Sequence, residues 1–310
     1  MKKSNHWSNY WEGGQLTSLP QDFKLNYQGS IYEEWIDCFK RLPKKSKVLD
    51  LCAGNCAISL LAATYSNEGK REFNITAIDA ANISKQNIVK KFPQQKEYLE
   101  KIKVISNCRV EDINIESSCI DLIVSQYGIE YCDWVVSAKQ ISRLLKKGGE
   151  FTMITHSCST EIVTFMEVEK NDYKFLNNIG LFKNLKKYGN NKISHRIFMK
   201  QLNIIQPKIV KEFKEKPSQL LKSILMLLDN IYNTESKQLQ GHKTELLNIC
   251  NQHKFAFARL NDLLGVIDSI AKDPDWFKVF INEGLEMKQK KTIIQNENVN
   301  SGTLYQFVKK

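Results

Sequence analysis

Between Val48 and Thr155, short apolar runs of strand length alternate with stretches whose apolar residues recur at helical spacing; no other feature constrains the fold as much. The runs are Val48-Leu49-Asp50-Leu51, Ile75-Thr76-Ala77-Ile78, Lys103-Val104-Ile105-Ser106, Ile120-Asp121-Leu122-Ile123-Val124 and Phe151-Thr152-Met153-Ile154-Thr155. Such runs suit parallel strands, which are covered on both faces and so lack a polar alternation. The helical stretch Ala57 to Tyr65 separates the first two. Another helix follows the fourth run and is read as closing at Lys146-Lys147-Gly148-Gly149, with lysines in its last turn and a glycine at a left-handed cap. Strands joined by helical crossovers predict an α/β fold built on a doubly wound, mostly parallel sheet. An earlier helix, Ile31 to Leu42, is stopped by Pro43.

The alternation stops after His156. From Thr160 to Ala271 the pattern is helical, and Leu220, Leu221, Ile224, Leu225, Leu227, Leu228 and Ile231 form a wide apolar face that reads as the core of an insertion. A further helical run, Phe255 to Ile270, ends at Asp273-Pro274. Beyond Trp276 the strand pattern returns: Met287 to Ile294, a polar turn from Asn296 to Gly302, then Thr303 to Val308 alternating at period two, which is a hairpin. Residues 1–29 carry Trp7, Tyr10, Trp11, Gly13-Gly14, Pro20, Phe23 and Tyr27 and read as an aromatic arm or lid. The predicted division is that arm, an α/β domain made of 30–156 and 274–310, and a helical insertion, 157–273, on the acceptor side of the site.

Composition narrows the functional classes. With 42% hydrophobic and 25% charged residues the chain reads as globular, and no run approaches the roughly 18 apolar residues of a membrane helix. The start has no apolar stretch of a secretory signal, so a cytoplasmic protein with no membrane partner is expected. Cys38, Cys52, Cys56, Cys108, Cys119, Cys132, Cys158 and Cys250 contain no C-x-x-C pair, which predicts reduced thiols and no metal site. The net charge of +11 is nearly all lysine; without an arginine-rich run it reads as a solvated surface, and a nucleic-acid partner is the less favoured reading.

In a doubly wound sheet, ligands bind at the carboxyl ends of the strands, where helix N–H groups are free. The first strand, with Asp50, runs there into Cys52-Ala53-Gly54-Asn55-Cys56-Ala57, a turn of small residues opening a helix. Asp79, followed by Ala80, ends the second strand, placed to accept two hydrogen bonds from a ribose, and Glu111-Asp112 lies just past the third, where an amino group such as adenine N6 is met. In this order and at this spacing, Val48 to Ala57, Ile75 to Asp79, Arg109 to Asp112, Ile120 to Tyr131 and Leu144 to Thr155 resemble the successive motifs of class I S-adenosylmethionine-dependent methyltransferases. The resemblance spans about half the chain and takes in the closing hairpin, which in that family adds an antiparallel strand. It implies S-adenosylmethionine as cofactor, with Gly54 admitting its methionine part, Asp79 holding the ribose and Asp112 the adenine. The family's loop is usually G-x-G-x-G, and Cys52 and Cys56 replace its outer glycines, where a Cβ crowds the loop or opposes a positive φ. A dinucleotide enzyme, whose turn must seat a pyrophosphate, is the poorer match.

Methyl transfer needs an acceptor held in line and water kept out. The segment after the fourth strand, Ser125-Gln126-Tyr127-Gly128-Ile129-Glu130-Tyr131, lies where the family faces cofactor and acceptor. Tyr127 or Glu130 orients the acceptor or takes its proton, unless Ile129 and Tyr131 pack and Glu130 caps a helix. His156, ending the fifth strand, is a general base or a structural hydrogen-bonding group. Trp11 or Tyr27 faces the sulfonium, or packs on the sheet edge. The expected function is methyl transfer to an O, N or C atom of a small or medium-sized metabolite. A protein or RNA acceptor is the alternative, as is a methyltransferase-like module that binds without turnover; the oligomeric state is not legible.

Overall fold

A computed structural model describes residues 5–18, 25–156, 158–295 and 299–310; Pro20, Phe23 and the Asn296 to Asn298 part of the hairpin turn lie outside it. It divides into two compact units, Met1–Ser159 with Gly265–Lys310, and Thr160–Leu264. The first opens with α1 (Asn5–Glu12) and α2 (Gly29–Arg41), then runs β1 (Lys47–Leu51), α3 (Ala57–Glu68), β2 (Asn74–Ile78), α4 (Lys85–Lys91), α5 (Lys96–Glu100), β3 (Ile102–Ile105), β4 (Ile120–Gln126), α6 (Trp134–Leu144) and β5 (Leu145–Thr155). The helices α7 (Thr160–Asn178), α8 (Leu181–Gly189), α9 (His195–Glu215), α10 (Gln219–Asn233), α11 (Ser236–Gly241) and α12 (Lys243–Lys272) follow, and α13 (Lys278–Asn282), β6 (Leu285–Gln295) and β7 (Val299–Lys309) complete the chain.

The seven strands form one sheet in the order β3-β2-β1-β4-β5-β7-β6. β1 to β5 are parallel, and β7 joins β5 antiparallel, with β6 returning on the outside. This is the doubly wound sheet with a closing hairpin that the alternating sequence predicts. The order reverses between β1 and β4, and the two loops leaving their carboxyl ends diverge there to make a crevice.

Apolar residues explain both faces of the sheet. On one side Ile31, Trp35 and Phe39 of α2 pack with Ala62 and Ala63 of α3 against Val48, Leu122 and Val124. On the other, Ile141 and Leu144 of α6 and Phe280 of α13 pack against Leu49, Ile123 and Phe151. The helical unit has its own core, in which Tyr188 stacks on Phe198 with centroids 4.2 Å apart beside the buried Leu221, Ile224 and Leu228 of α10.

Three local expectations are corrected. The segment read as an arm or lid also contributes to the core: Trp7, Tyr10 and Trp11 sit at i, i+3 and i+4 of a helix, and Leu16 and Tyr27 beyond it are core residues, 2% and 4% exposed. Lys146 and Lys147 are not in a helix; α6 ends at Leu144 and these residues form an irregular start to β5, with Gly148 at φ 75° and the pairing to β4 shifted between Ile120 and Leu122. Lys146 is held there by Asp121, 2.7 Å away, a local pairing the helical pattern did not weigh. The hairpin turn is shorter than its polar composition indicates, since β7 already begins at Val299 and pairs Gly302 with Ile293.

Phe151 is fully buried between the rings of Phe280, at 5.0 Å, and Phe307, at 5.8 Å. Phe151→Ala is expected to cost the α/β unit about 3–5 kcal/mol, measured by urea unfolding. A loss under about 1 kcal/mol would show that this cluster closes around the gap.

Candidate active site

The turn between β1 and α3 is built against the preference of two of its residues. Cys52 (φ 56°), Gly54 (φ 49°) and Cys56 (φ 65°) are all left-handed. Only glycine takes that region freely; a Cβ makes it cost about 1–2 kcal/mol per residue. The expected opposition of the two cysteines to a positive φ is therefore real, and the surroundings overcome it. Ala53 N–H donates to Ile78 O at 3.0 Å and Cys56 N–H to Ala53 O at 2.8 Å. Gly54 N–H donates to Asp79 Oδ2 at 2.7 Å. Room for the Cys52 side chain comes from across the crevice, where a Cβ on Gly128 would fall 2.3 Å from that of Cys52. Cys52 Sγ lies 3.6 Å from Cys132 Sγ.

Two carboxylates organise the loop from below. Asp79 spans two turns, accepting from Gly54 N–H through Oδ2 and from Ala81 N–H through Oδ1, both at 2.7 Å; Ala80 between them is exposed. Burial pushes the Asp79 carboxyl up, and the two amide bonds oppose the shift. Asp50 is 1% exposed and accepts from Ser59 N–H at 3.0 Å and Ser59 Oγ–H at 2.7 Å. Cys56 gives α3 no side-chain cap, so Asp50 supplies one from the strand. Burial pushes its carboxyl up to about 7. Ser59 was not a sequence candidate; its place in the first turn of α3, with no capping residue before it, was the available signal.

After β4, Ser125 Oγ–H donates to Leu51 O and accepts from Ile129 N–H, tying the two loops together. Gln126 Oε1 accepts from Trp35 Nε1–H at 2.7 Å, which turns its Nε2 donors the other way, buried and without a partner among the described residues. Tyr127 is left-handed (φ 52°), and its hydroxyl donates to Ser301 O. Its ring stacks on His156 at 4.6 Å and 11°, with Tyr131 edge-on to the same imidazole at 5.9 Å. Glu130 caps no helix: it is 2% exposed, Oε1 accepts from His156 N–H at 2.9 Å, and Oε2 has no partner among the described residues. The cap of α6 is Asp133. Burial pushes the Glu130 carboxyl up to about 7 and the His156 imidazole down to about 3. Such an imidazole stays neutral at physiological pH and is too weak a base to take a proton there.

The structure thus brings together Asp50, Cys52, Ala53, Gly54, Asn55, Asp79, Ser125, Gln126, Tyr127 and Tyr27 around the crevice, with Glu130 and His156 beside it. It does not bring Glu111 and Asp112 to the cavity described next. The Glu111 carboxylate is taken by Arg109 and Asp133 N–H, and the Asp112 side chain is 67% exposed and 3.8 Å from Arg109.

The crevice narrows to a cavity of about 40 Å³ lined by Trp7, Trp11, Tyr27, Asp50, Cys52 and Gln126, among others. The polar groups suit S-adenosylmethionine: Asp79, bonded to the loop that lines the cavity, for ribose hydroxyls, a buried amide donor on Gln126 with no partner among the described residues for a carboxylate, and aromatic faces for a sulfonium. The space does not, because enclosed organic ligands need roughly 300 Å³ or more. The Trp11 indole takes it up: a Cβ on Gly54 would lie 2.5 Å from Trp11 Cζ2.

A doubly wound sheet with an acid-anchored turn after β1 at its switch point defines a nucleotide-type α/β domain. Residues 49–153 match the family model described as a methyltransferase domain, a match that supports S-adenosylmethionine as the cofactor. No curated protein matches the sequence. Among solved structures, the YcgJ protein of Bacillus subtilis shares 18% identity over 46% of this chain and 58% of that one, with a TM-score of 0.34. A geranyl diphosphate C-methyltransferase from Streptomyces coelicolor shares 12% over 50% and 65%, with a TM-score of 0.37. A chain from the complex of the Haloferax volcanii Trm112 methyltransferase activator with a protein described as a methyltransferase shares 11% over 97% and 96%, with a TM-score of 0.43. The chain spans less than two thirds of YcgJ and of the geranyl diphosphate enzyme.

Because the folded Glu130 carboxyl sits near 7 against 4.5 unfolded, the stability it contributes is present below pH 4.5 and lost as pH rises through 7. Glu130→Gln keeps the acceptor for His156 N–H and removes the charge. Its stability relative to the parent should therefore rise between those pH values, by up to about 3 kcal/mol. Unfolding curves at pH 4.5, 6 and 8 check this; a constant difference would place Glu130 in contact with solvent.

Proposed function

We propose that the chain transfers the methyl group of S-adenosylmethionine to an O, N or C atom of a small or medium-sized metabolite. The observation that carries this reading is the Asp79 carboxylate at the end of β2, fixed by the Gly54 and Ala81 amides and so tied to the loop after β1. Gly54 offers its backbone to the methionine part of the cofactor, Asp79 accepts from the ribose, and Gln126 Nε2–H meets the carboxylate. When bound, the cofactor supplies an electrophilic methyl group on a sulfonium. What remains for the protein is to orient an acceptor, shut out water and receive a proton.

Glu130 is the group suited to receive it. Its carboxyl, near 7, is matched to neutral pH, whereas His156 is held neutral and the Tyr127 hydroxyl is committed to Ser301 O. His156 is then a positioning residue: its N–H holds Glu130 Oε1 and its ring backs Tyr127. Asp112 has no part in the reading, since its carboxylate lies in solvent beside Arg109. The second reading, a module that binds without turnover, draws support from the two left-handed cysteines in the loop.

S-adenosylhomocysteine at a hundredfold excess over its Kd should stabilise the protein by about 2.7 kcal/mol. Asp79→Ala should weaken that binding by roughly 1.5–3 kcal/mol, because charged acceptors for ribose hydroxyls are lost. Calorimetric titration of both proteins, with circular dichroism to confirm folding, tests the assignment. Equal affinities would remove Asp79 from the site, and no thermal shift with millimolar ligand would overturn the cofactor reading.

A further inference from the structure

We propose that α1 is an intramolecular competitor for the cofactor site, with the Trp11 indole seated on Gly54 where the methionine part of the cofactor belongs, so that α1 must undock before the cofactor enters. The inference rests on the S-adenosylmethionine reading of the site and concerns its regulation.

The contacts of α1 fall on the loops that leave the sheet at this end. Trp11 lies so close to Gly54 that a Cβ there would be 2.5 to 2.8 Å from three of its ring atoms. Asn55, the next residue of the loop, is fully buried and spends both its amide protons on this segment, donating to Trp11 O at 2.8 Å and Gln15 O at 2.7 Å. Past Asp79, Asn82 N–H donates to Ser8 Oγ at 3.0 Å, and Asn87 Nδ2 to Glu12 O at 3.1 Å. After β4, Tyr131 meets the Trp7 ring edge to face at 5.8 Å. One short helix is thus fastened to the turns after β1, β2 and β4, the three turns to which the cofactor roles are assigned.

The geometry separates a competitor from a wall. A wall residue borders a space of ligand size, whereas here about 40 Å³ remains, room for little more than water. Trp11 touches the loop residue whose lack of a side chain is needed for close approach by a ligand, so ring and ligand cannot share it. The attachment is also suited to release. α1 has eight residues, too few for an isolated helix to persist, and besides the packing of Trp7 and Trp11 on the core it is held by hydrogen bonds and ring contacts to the loops. Gly14 ends it in the left-handed region (φ 74°), packed so closely that a Cβ would lie 2.8 Å from Asn87 O. Any side chain at Gly14 therefore works against docking, at a position with no assigned role in the cofactor site.

Docked α1 lowers the apparent affinity in proportion to the population that is open. Trp11→Ala removes the competing ring, and Gly14→Ala loosens docking with the ring intact. Each should bind S-adenosylhomocysteine more tightly than the parent, by about tenfold if the docked form holds nine-tenths of the molecules. In the parent, ligand addition should also shift tryptophan emission to longer wavelength as Trp7 and Trp11 of α1 enter water together, a change reduced in Trp11→Phe and missing when Trp7 is replaced by Phe as well. Titration calorimetry and fluorescence on the full chain, with folding checked by circular dichroism, read both effects. Weaker binding in both variants would make Trp11 part of the wall that holds the cofactor and overturn the proposal, as would unchanged affinity in both. Failure of parent and both variants to bind would instead overturn the cofactor reading, and the competitor with it.

Discussion

The hydrogen bond from Gly54 N–H to Asp79 Oδ2 is the interaction on which the rest of the site depends. It joins the turn after β1 to the turn after β2 and closes a loop in which three of five residues are left-handed. Two of those are cysteines, so the loop cannot rely on glycine's indifference to φ and needs outside support. Asp79 supplies it on one side and the carbonyl of Ile78 on the other. Gly128 gives way to the Cys52 side chain across the crevice, so a glycine missing from the loop reappears opposite it.

Three acids share an unusual condition. Asp50, Asp79 and Glu130 all have carboxyls raised by burial, and among the described residues none has an ion-pair partner. Each accepts from N–H or O–H donors, which stabilise it without neutralising its charge, although Glu130 Oε2 is left without one among the described residues. In a chain of net charge +11, gathering these acids near one crevice makes it less positive than the rest of the protein. A sulfonium is the charge complement of such a crevice, and a cation there would draw the carboxyls back toward their ordinary range.

Much of this was legible in the chain. The five buried runs and the period-two hairpin named the sheet because parallel strands are apolar on both faces and the last strands are not. Asp79 was visible because an acid ending the second strand has few other places to point. The failures were equally physical. Trp7, Tyr10 and Trp11 have helical spacing, but Gly13 and Gly14 beside them and a short length masked it. Lys146-Lys147-Gly148-Gly149 carries the marks of a helix end, yet Lys146 pairs with Asp121 and the segment bends into β5. Glu111 and Asp112 sit at the expected point in the chain, and Arg109 two and three residues away pairs with both carboxylates, which local order alone did not indicate.

The sequence by itself determined the class of fold, the strand that bears the loop and the chemistry of the residues at its end, because these follow from periodicity and from local order. Tertiary structure decided what those residues can do. Whether Glu130 is a base or a cap, whether His156 holds a proton, and whether Trp11 faces a ligand or replaces it all depend on distance and burial. Those are set by elements far apart in the chain, Ser301 against Tyr127, His156 against Glu130, Trp11 against Gly54. No local pattern encodes such pairings, since each is fixed only when the sheet brings its strand ends together.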